Sequence, residues 1–466
     1  MARLRVYQFR GLGLKTSPLL ESEGNLLRCV NMDPEPIGGL RKRPGYVSYL
    51  GSQVSQIDSL FEWHQNDGST FWTYAAAGGS ILYSTQGTGA WTICGNGTMT
   101  SGTHIGTAYL ENTMIIGDGV VATRHTTNGT SLTNTPSAPI APYFTDYQNR
   151  IYAGGTASSL FYSNVGTPSD WTNDSSSITI PGPGKISAVY KSQDRLVASK
   201  NSGVMHRWDG YNLFDMSTEL GPSSYSSLGA VEGFKFGLNR LGFFAYTAGV
   251  PQLLSNQVER QIYNDRGSGI IGTTFDNAPG VLHKYNYYCT VGTITDDLTN
   301  ETVEAGIMVY NFQQDYWRNY KFAHRPTAWL SYKDVSGSQQ LIFGDGNGQC
   351  YTLGGTALSD NGAAIACSAE GVLNFGDPES EKDFNTIWAF FSPGSGAKFQ
   401  VAPTDSFSKW SKKWIDLGDT STGIVEFNFP SGSRGRLLSW RVSESSRESR
   451  FTFYGFSVDY DTIPKK

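Results

Sequence analysis

The fold is decided by two similar stretches, Tyr143-Phe-Thr-Asp-Tyr-Gln-Asn-Arg-Ile-Tyr-Ala-Gly-Gly155 and Ile186-Ser-Ala-Val-Tyr-Lys-Ser-Gln-Asp-Arg-Leu-Val-Ala-Ser199. Each contains an aromatic or β-branched run, a polar triplet (Gln-Asn-Arg or Gln-Asp-Arg) and a second apolar run. Aromatic and β-branched residues suit a half-buried strand, and Asn or Asp between two such runs supplies a hairpin turn. The two stretches therefore predict antiparallel β-hairpins of the same design.

The same order of strand, polar turn, apolar strand and aromatic strand recurs on both sides of these hairpins, over residues 54–362. At roughly 35–45 residues per repeat, the length of one propeller blade, the pattern predicts an all-β fold with a six- or seven-bladed β-propeller. A blade has two apolar faces that it cannot bury alone, so blades stack in a ring. A series of β-sandwiches with accidental regularity is the alternative interpretation.

The segments that flank the repeat have a different pattern. After Gly362 about six or seven short strands follow within roughly 100 residues, which is the size of one β-sandwich. The N-terminal segment is less regular, and we expect it to contact neighbouring molecules, to complete the propeller, or both. The chain is therefore divided into residues 1–53 (N-terminal arm), 54–362 (β-propeller) and 363–466 (C-terminal β-sandwich).

The composition excludes several classes of protein. Charged residues make up 17% of the 466 residues and aromatic residues 13%, the opposite of the bias of a disordered chain. A net charge of −5 is not that of a protein that binds nucleic acid non-specifically, because such binding needs a basic face. The five Cys form no CxxC pair, so buried free thiols in a reducing compartment are expected. No apolar run reaches about 18 residues, and no secretory signal is visible, so we expect no membrane span.

The sequence offers no catalytic, cofactor or metal motif that we can assign. None of the six His lies in an HExxH pattern, and no convincing GxSxG elbow occurs. A pair of carboxylates for glycoside hydrolysis would have to come from scattered Asp residues, for which a turn-forming role is the simpler interpretation. The stretch Ser163–Trp171 looks like a degenerate Asp-box, a structural turn of sialidase-type propellers. We therefore expect a protein without enzymatic activity and without a cofactor.

One cationic run stands out, Arg41-Lys42-Arg43, directly before the turn signal Pro44-Gly45. Three cations in a turn could contact phosphates or an acidic partner. A solvated loop is the competing interpretation. Arg41, Lys42 and Arg43 are thus the candidate partner contacts of this chain.

The N-terminal sequence and the blade hairpins also carry a resemblance. The N-terminal elements are Phe9-Arg-Gly-Leu-Gly13, Ser17-Pro-Leu-Leu-Glu-Ser-Glu-Gly24, Asn31 and Gly38-Gly-Leu-Arg-Lys-Arg-Pro-Gly-Tyr46. The blade elements are Asp146–Tyr152, Leu160–Ser163 with Asp170-Trp171, and Lys191–Val197. Together they resemble tail proteins of tailed bacteriophages, including the packaged-DNA-stabilisation (tail hub or nozzle) proteins of short-tailed phages.

The resemblance implies a structural role in the virion. It implies a β-propeller with a small β-sandwich after it, and several copies joined in a closed, six-fold ring below the portal and adaptor. Such a ring would contact other tail proteins, help to retain packaged DNA and form part of the ejection channel, without sequence-specific DNA binding. The protein would be made in the host cytoplasm and located in the tail of the virion. The modest negative charge suits a conduit to which a polyanion does not adhere.

Two other functions remain open. A glycan-binding or depolymerising receptor-binding propeller of a phage tail is favoured by the Asp-box-like stretch and by surface Trp residues. An ordinary cellular propeller scaffold is the third class. The structural role predicts a cyclic oligomer without turnover, whereas the glycan-binding role predicts acidic residues and Trp along a groove.

Overall fold

The structure is a computed structural model, and it describes most of the chain. The described residues are 1–15, 23–53, 55–66, 70–85, 89–172, 177–192, 195–231, 234–246, 250–262, 270, 277–296, 301–393, 396–405, 412–418, 420–446 and 450–463. The Gln193-Asp194 turn and the Ser17–Ser22 part of the resemblance lie outside them.

Nearly all regular structure in these residues is β-strand. The N-terminal strands are β1 (Ala2–Val6), β2 (Arg28–Val30), β3 (Met32–Pro34), β4 (Leu40–Lys42) and β5 (Tyr46–Tyr49). Then follow β6 (Ile57–His64), β7 (Phe71–Ala77), β8 (Ser80–Thr85), β9 (Thr92–Thr98), β10 (Gly106–Leu110), β11 (Thr113–Gly117), β12 (Arg124–Thr126), β13 (Thr133–Asn134), β14 (Tyr143–Tyr147), β15 (Arg150–Gly154), β16 (Ser159–Tyr162) and β17 (Ser177–Thr179).

The middle of the chain adds β18 (Ile186–Ser192), β19 (Arg195–Lys200), β20 (Met205–Trp208), β21 (Leu213–Ser217), β22 (Gly229–Val231), β23 (Phe234–Asn239), β24 (Gly242–Tyr246), β25 (Gln252–Leu253), β26 (Gly280–His283), β27 (Asn286–Asp296), β28 (Glu301–Asn311), β29 (Tyr316–Lys321), β30 (Pro326–Lys333), β31 (Gln339–Asp345) and β32 (Cys350–Leu353). The C-terminal strands are β33 (Cys367–Leu373), β34 (Glu381–Phe391), β35 (Lys398–Thr404), β36 (Ile415–Asp416), β37 (Ile424–Asn428), β38 (Arg434–Gly435), β39 (Leu437–Glu444) and β40 (Thr452–Ile463). The helical segments are short: the 3₁₀ turns Tyr225–Ser227 and Ser255–Val258, and α1 (Glu259–Ile262).

Six separate four-stranded antiparallel sheets form the blades of a β-propeller. Blades 1 to 5 are β6–β9, β10–β13, β14–β17, β18–β21 and β22–β25. In the sixth, called the closing blade, β30, β31 and β32 are followed by β5 from the N-terminal segment. Because its outermost strand comes from the other end of the repeat, this blade ties the two ends of the ring together.

The hairpins within the blades form as the sequence predicts. In blade 3, Tyr147 pairs with Arg150, which leaves a two-residue loop of Gln148 and Asn149. Both loop residues have positive φ, 46° and 57°. Paired positive φ values are those of a type I′ turn, whose twist matches the twist of the flanking strands.

Neighbouring sheets are joined between their inner strands. Blade 1 contacts the closing blade in an apolar cluster that includes Ile57, Ala75, Leu330 and Ile342. The joining hydrogen bonds are Ile105 N to Ser59 Oγ (2.9 Å), Lys191 N to Thr145 Oγ1 (3.1 Å), Ser187 Oγ to Pro222 O (2.9 Å) and Thr327 Oγ1 to Ile57 O (2.7 Å). Burial of both faces of each sheet against its neighbours is the driving force for such a ring.

The remaining strands form two larger sheets. The nine-stranded sheet has the order β26-β27-β28-β29-β2-β33-β39-β35-β36, and in it β2 pairs parallel with β29 and antiparallel with β33. The seven-stranded sheet has the order β3-β4-β40-β34-β37, with β1 paired to β40 and β38 to β34. The largest apolar core of the described residues has members from both sheets, including Phe399, Trp440 and Phe456.

The all-β prediction and the propeller are confirmed. The division at residues 53 and 362 stays a prediction. The strands of the N-terminal arm belong to three different sheets: β1, β3 and β4 to the seven-stranded sheet, β2 to the nine-stranded sheet and β5 to the closing blade. The five Cys are free and buried, as expected. None of the helices among the described residues has the length and apolar character that crossing a membrane requires.

Candidate functional site

The candidate contacts Arg41, Lys42 and Arg43 do not form an exposed turn. Arg41 and Lys42 lie on β4, which pairs with β3 and β40. Since side chains alternate along a strand, Arg41 points outward and Lys42 inward. The exposed fractions of their side chains are 56% for Arg41 and 2% for Lys42, and that of Arg43 is 0%. The structure thus corrects the surface assignment of Lys42 and Arg43, and only Arg41 can reach a partner.

Arg43 is the centre of a buried hydrogen-bond network. Its Nη1 and Nη2 donate to Asp360 Oδ1 and Oδ2 at 2.8 and 2.7 Å. Nε donates to Asn31 Oδ1 at 2.7 Å, and the remaining N–H groups donate to Pro44 O (3.0 Å) and Lys321 O (2.8 Å). A guanidinium has five N–H donors, so all of them are used. Arg43 therefore joins the end of the closing blade, strand β29 and the N-terminal strands.

Lys42 makes a second buried link, toward the C-terminal strands. Its Nζ donates to Glu444 Oε2 at 2.7 Å and to Ser446 O at 2.6 Å. Glu444 is the last residue of β39. Burying both charges is tolerated because each is paired and hydrogen-bonded.

Asn31, Gly45 and Tyr46 hold the backbone around Lys42 and Arg43 in place. Asn31 has φ 56°, a left-handed conformation that Asn tolerates, and its Nδ2 donates to Ala366 O at 2.7 Å. Gly45 passes so close to the chain that a Cβ would lie 2.1 Å from Ser359 O. Tyr46 is fully buried, and its hydroxyl accepts a hydrogen bond from His324 N at 3.0 Å.

A cavity of 710 Å³ opens beside this network. Its wall combines β4, the β26–β27 hairpin, β29 and the loop after the closing blade. Six cations line it against one carboxylate, Asp33: they are Arg41, Lys42, Arg43, Lys284, Arg318 and Arg450. This cavity is strongly basic, and it includes the whole run that the sequence singled out.

Arg318 is a third buried cation of the cavity wall, beside Lys42 and Arg43. Its Nε lies 2.5 Å from Asp33 Oδ1, and its Nη2 donates to Asn286 Oδ1 at 3.0 Å. Its Nη1 is buried and has no hydrogen-bond partner among the described residues. Burial raises the pKa of the neighbouring Tyr288 to about 12, so its phenol stays neutral at physiological pH.

Tyr225 contacts blades that are not its neighbours in the ring. Tyr225, which precedes blade 5, packs against Tyr143 of blade 3 and His104 of blade 2, with ring centroids 4.8 and 5.3 Å apart. His104 Nδ1 in turn lies 3.3 Å from Ser59 Oγ of blade 1. Blades 2 and 3 are not neighbours of blade 5 in the ring, so these contacts cross the axis. Burial lowers the pKa of His104 to about 4.

The other motifs of the sequence are structural. In the Asp-box-like stretch, Asn164 Nδ2 donates to Asp170 Oδ2 at 2.9 Å, and Trp171 is 3% exposed with its Nε1 bonded to Pro168 O. Trp171 is therefore unavailable to a sugar. Asp345 accepts two backbone N–H groups of its own turn, from Asn347 and Gln349, both at 2.9 Å. Over the part of the chain that the structure describes, no three His, Cys, Asp or Glu side chains cluster as a metal site.

Sequence reasoning missed Asp33, Arg318, Asp360 and Glu444. Asp360 and Glu444 lie 317 and 402 residues from their cationic partners, and no local pattern links positions so far apart. The run Lys42-Arg43 gave the only local signal, and the burial of Gly45 and Tyr46 after it shows that it is not a free loop.

Comparisons with known proteins leave the chain without a family. No protein-family profile matches it, and neither does any curated protein. Solved structures to which it is similar include YCF48 from Cyanidioschyzon merolae (12% identity, TM-score 0.44, 66% of this chain and 98% of that one). Two others are the computationally designed Ika8 protein (13%, 0.42, 66% and 99%) and BamB from Moraxella catarrhalis (12%, 0.39, 76% and 97%). Similarity at this level carries no inference about the function of this chain.

Proposed function

We propose that this chain is a structural virion protein of a bacteriophage tail, a hub or nozzle subunit below the portal and adaptor. It helps to retain packaged DNA and forms part of the ejection channel, without catalysis and without a cofactor. The observation that carries the proposal is the buried network of Asn31, Lys42 and Arg43. The sequence run on which the phage resemblance rests is the one that fastens the propeller to the two larger sheets.

The proposal includes a finer description of the fold. Strands β26–β29 lie between blade 5 and the closing blade, with Tyr287 OH donating to Ser227 O (2.6 Å) and Trp329 Nε1 to Thr290 Oγ1 (3.0 Å). We take them as a seventh blade whose outer edge continues into the nine-stranded sheet. The rest of that sheet and the seven-stranded sheet then form a C-terminal β-sandwich, to which the N-terminal strands contribute.

The pairing of the two chain ends suits a mechanical role. Strand β1 runs antiparallel to β40 from Ala2↔Tyr460 to Val6↔Phe456, and the terminal amine lies 2.6 Å from Asp461. Strands β1 and β40, the first and last strands of the described residues, are therefore held in one sheet. Strand β40, paired with β1 and with β34, resists local opening, because opening it would break many hydrogen bonds together.

Contacts across the propeller favour one route for DNA. Tyr225 packs against Tyr143 and His104 of blades that are not its neighbours, and these side chains obstruct the middle of each subunit. The channel of the proposed assembly therefore runs between copies of the chain, along the axis of a six-fold ring, and not through the blades. Arg41 is exposed at 56% and remains the candidate contact to a neighbouring copy or to the portal and adaptor.

The location in the virion is tested by mass spectrometry and negative-stain imaging of purified phage particles. We expect peptides of this chain in stoichiometric amount and a ring at the tail, where antibodies against the chain attach. Absence of the chain from purified virions would refute the proposal. A monomer of the isolated chain in light scattering would not, since a ring can close only on its platform.

The glycan-binding alternative is tested separately with capsular and lipopolysaccharide preparations. It predicts binding or cleavage of one of these polymers. The buried Trp171 at the Asp-box-like turn weakens it, because the motif that suggested it holds a loop together instead of facing solvent.

A further inference from the structure

The basic cavity beside Arg43 has more positive charge than its own acidic groups neutralise. Lys42 and Arg43 are paired with Glu444 and Asp360, and Arg41 lies 2.9 Å from Glu35. Lys284 and Arg450 have exposed side chains on the same cavity, and neither has an ion pair with any described residue. The cavity therefore presents two exposed cations that no described residue neutralises.

Arg318 also lines the cavity, and Asp33 at 2.5 Å neutralises its charge. Arg318 is 3% exposed, and its Nη1 is buried without a hydrogen-bond partner among the described residues. Since this nitrogen is closed to solvent, the exposed Lys284 and Arg450 are the groups that an anion in the cavity would reach.

Lys284 lies in the tight two-residue turn between His283 and Asn286, with φ 53°. This left-handed conformation suits Gly or Asn better than a long side chain. The turn borders the cavity, and Lys284 is exposed there.

We propose that this cavity is a binding site for a small phosphate-class oxyanion, with Lys284 and Arg450 as direct ligands. Guanidinium and ammonium groups make strong, charge-assisted hydrogen bonds to phosphate oxygens. The volume of 710 Å³ lies within the usual range of small-ligand sites and accommodates pyrophosphate as well as phosphate. The site does not depend on ring assembly or on the tail function.

The test uses the full chain in a buffer free of phosphate and sulfate. Calorimetric titration and thermal melting with phosphate and pyrophosphate are compared with sodium chloride at the same ionic strength. We expect saturable binding and a raised melting temperature with pyrophosphate and not with chloride. Lys284→Asn and Arg450→Gln should each weaken binding about tenfold. The control Lys185→Asn, an exposed cation in the loop between β17 and β18, should leave it unchanged.

Several results would overturn the proposal. They are an effect of pyrophosphate no larger than that of chloride, equal weakening by Lys185→Asn, and binding of a short DNA oligonucleotide without binding of either small anion. Lys284→Asn relieves the left-handed strain, so it should fold at least as well as the parent chain. Should it not fold, Arg450→Gln at the exposed mouth decides the question alone.

Discussion

At the residue scale, Arg43 shows why an arginine and not a lysine stands in the N-terminal network. Its planar fork meets both oxygens of Asp360 and still supplies Asn31 and two carbonyl groups. A lysine has the same charge, but a single ammonium cannot make these bonds from one position. The geometry of the fork, more than its charge, holds three parts of the chain together.

Replacing Arg43 should therefore destabilise the protein strongly. For Arg43→Lys we expect a loss of about 3 kcal/mol in the free energy of unfolding, because one ammonium cannot replace the five buried hydrogen bonds of the guanidinium. Urea unfolding followed by intrinsic fluorescence measures it. Arg41→Gln is the matched control on the exposed face, with an expected change within about 0.5 kcal/mol. Equal effects of the two substitutions would contradict the buried network.

His104 makes the stability depend on pH. Burial lowers its pKa from 6.5 to about 4 in the folded protein. Between these values the unfolded chain binds a proton that the folded chain does not, so stability falls as the pH falls through this window. Because the imidazole of His104 is only partly buried, we expect it to contribute about 2 kcal/mol to the change in the free energy of unfolding over this window. His104→Asn should remove that share of the slope in urea titrations from neutral to acid pH, and an unchanged slope would exclude His104 as its source.

At the scale of elements, the hairpins were predictable and the N-terminal strands were not. A hairpin such as Tyr143–Gly154 is specified by neighbours in sequence, by alternation on each side of a polar turn. Strand β5 pairs with β32 some 300 positions later, and β4 pairs with β40 near the other end of the chain. Such pairings depend on the finished ring, so the sequence could predict a segment that completes the propeller but not which strand does so.

The turn of blade 3 allows a direct test at this scale. Asn149 is the second loop residue, with φ 57°, a position at which type I′ turns favour Gly. Asn149→Gly should stabilise the protein by about 0.5 kcal/mol, whereas Asn149→Val should destabilise it by more than that, since a β-branched residue opposes positive φ. Thermal melting of the two variants beside the parent chain measures both. A stabilising Val would show that the loop has another geometry.

At the scale of the whole molecule, the chain ends couple regions that the sequence divides. The division at residue 362 treats the propeller and the C-terminal strands as separate domains. In the structure, Arg43 and Asp360 join the end of the closing blade to the N-terminal strands, and Lys42 joins those strands to Glu444. Two regions joined through buried ion pairs and shared sheets unfold together when the free energy of the junction exceeds their difference in stability.

We therefore expect a single unfolding transition for the whole chain in differential scanning calorimetry, with equal calorimetric and van't Hoff enthalpies. Asp360→Asn weakens the junction without touching either core, because the amide cannot accept both N–H groups of the guanidinium as a carboxylate does. This variant should unfold in two steps. Glu304→Gln, whose side chain is 77% exposed, is the control and should keep the single transition. Two transitions in the parent chain would mean that the division drawn from sequence is correct and that the buried pairs do not couple the regions.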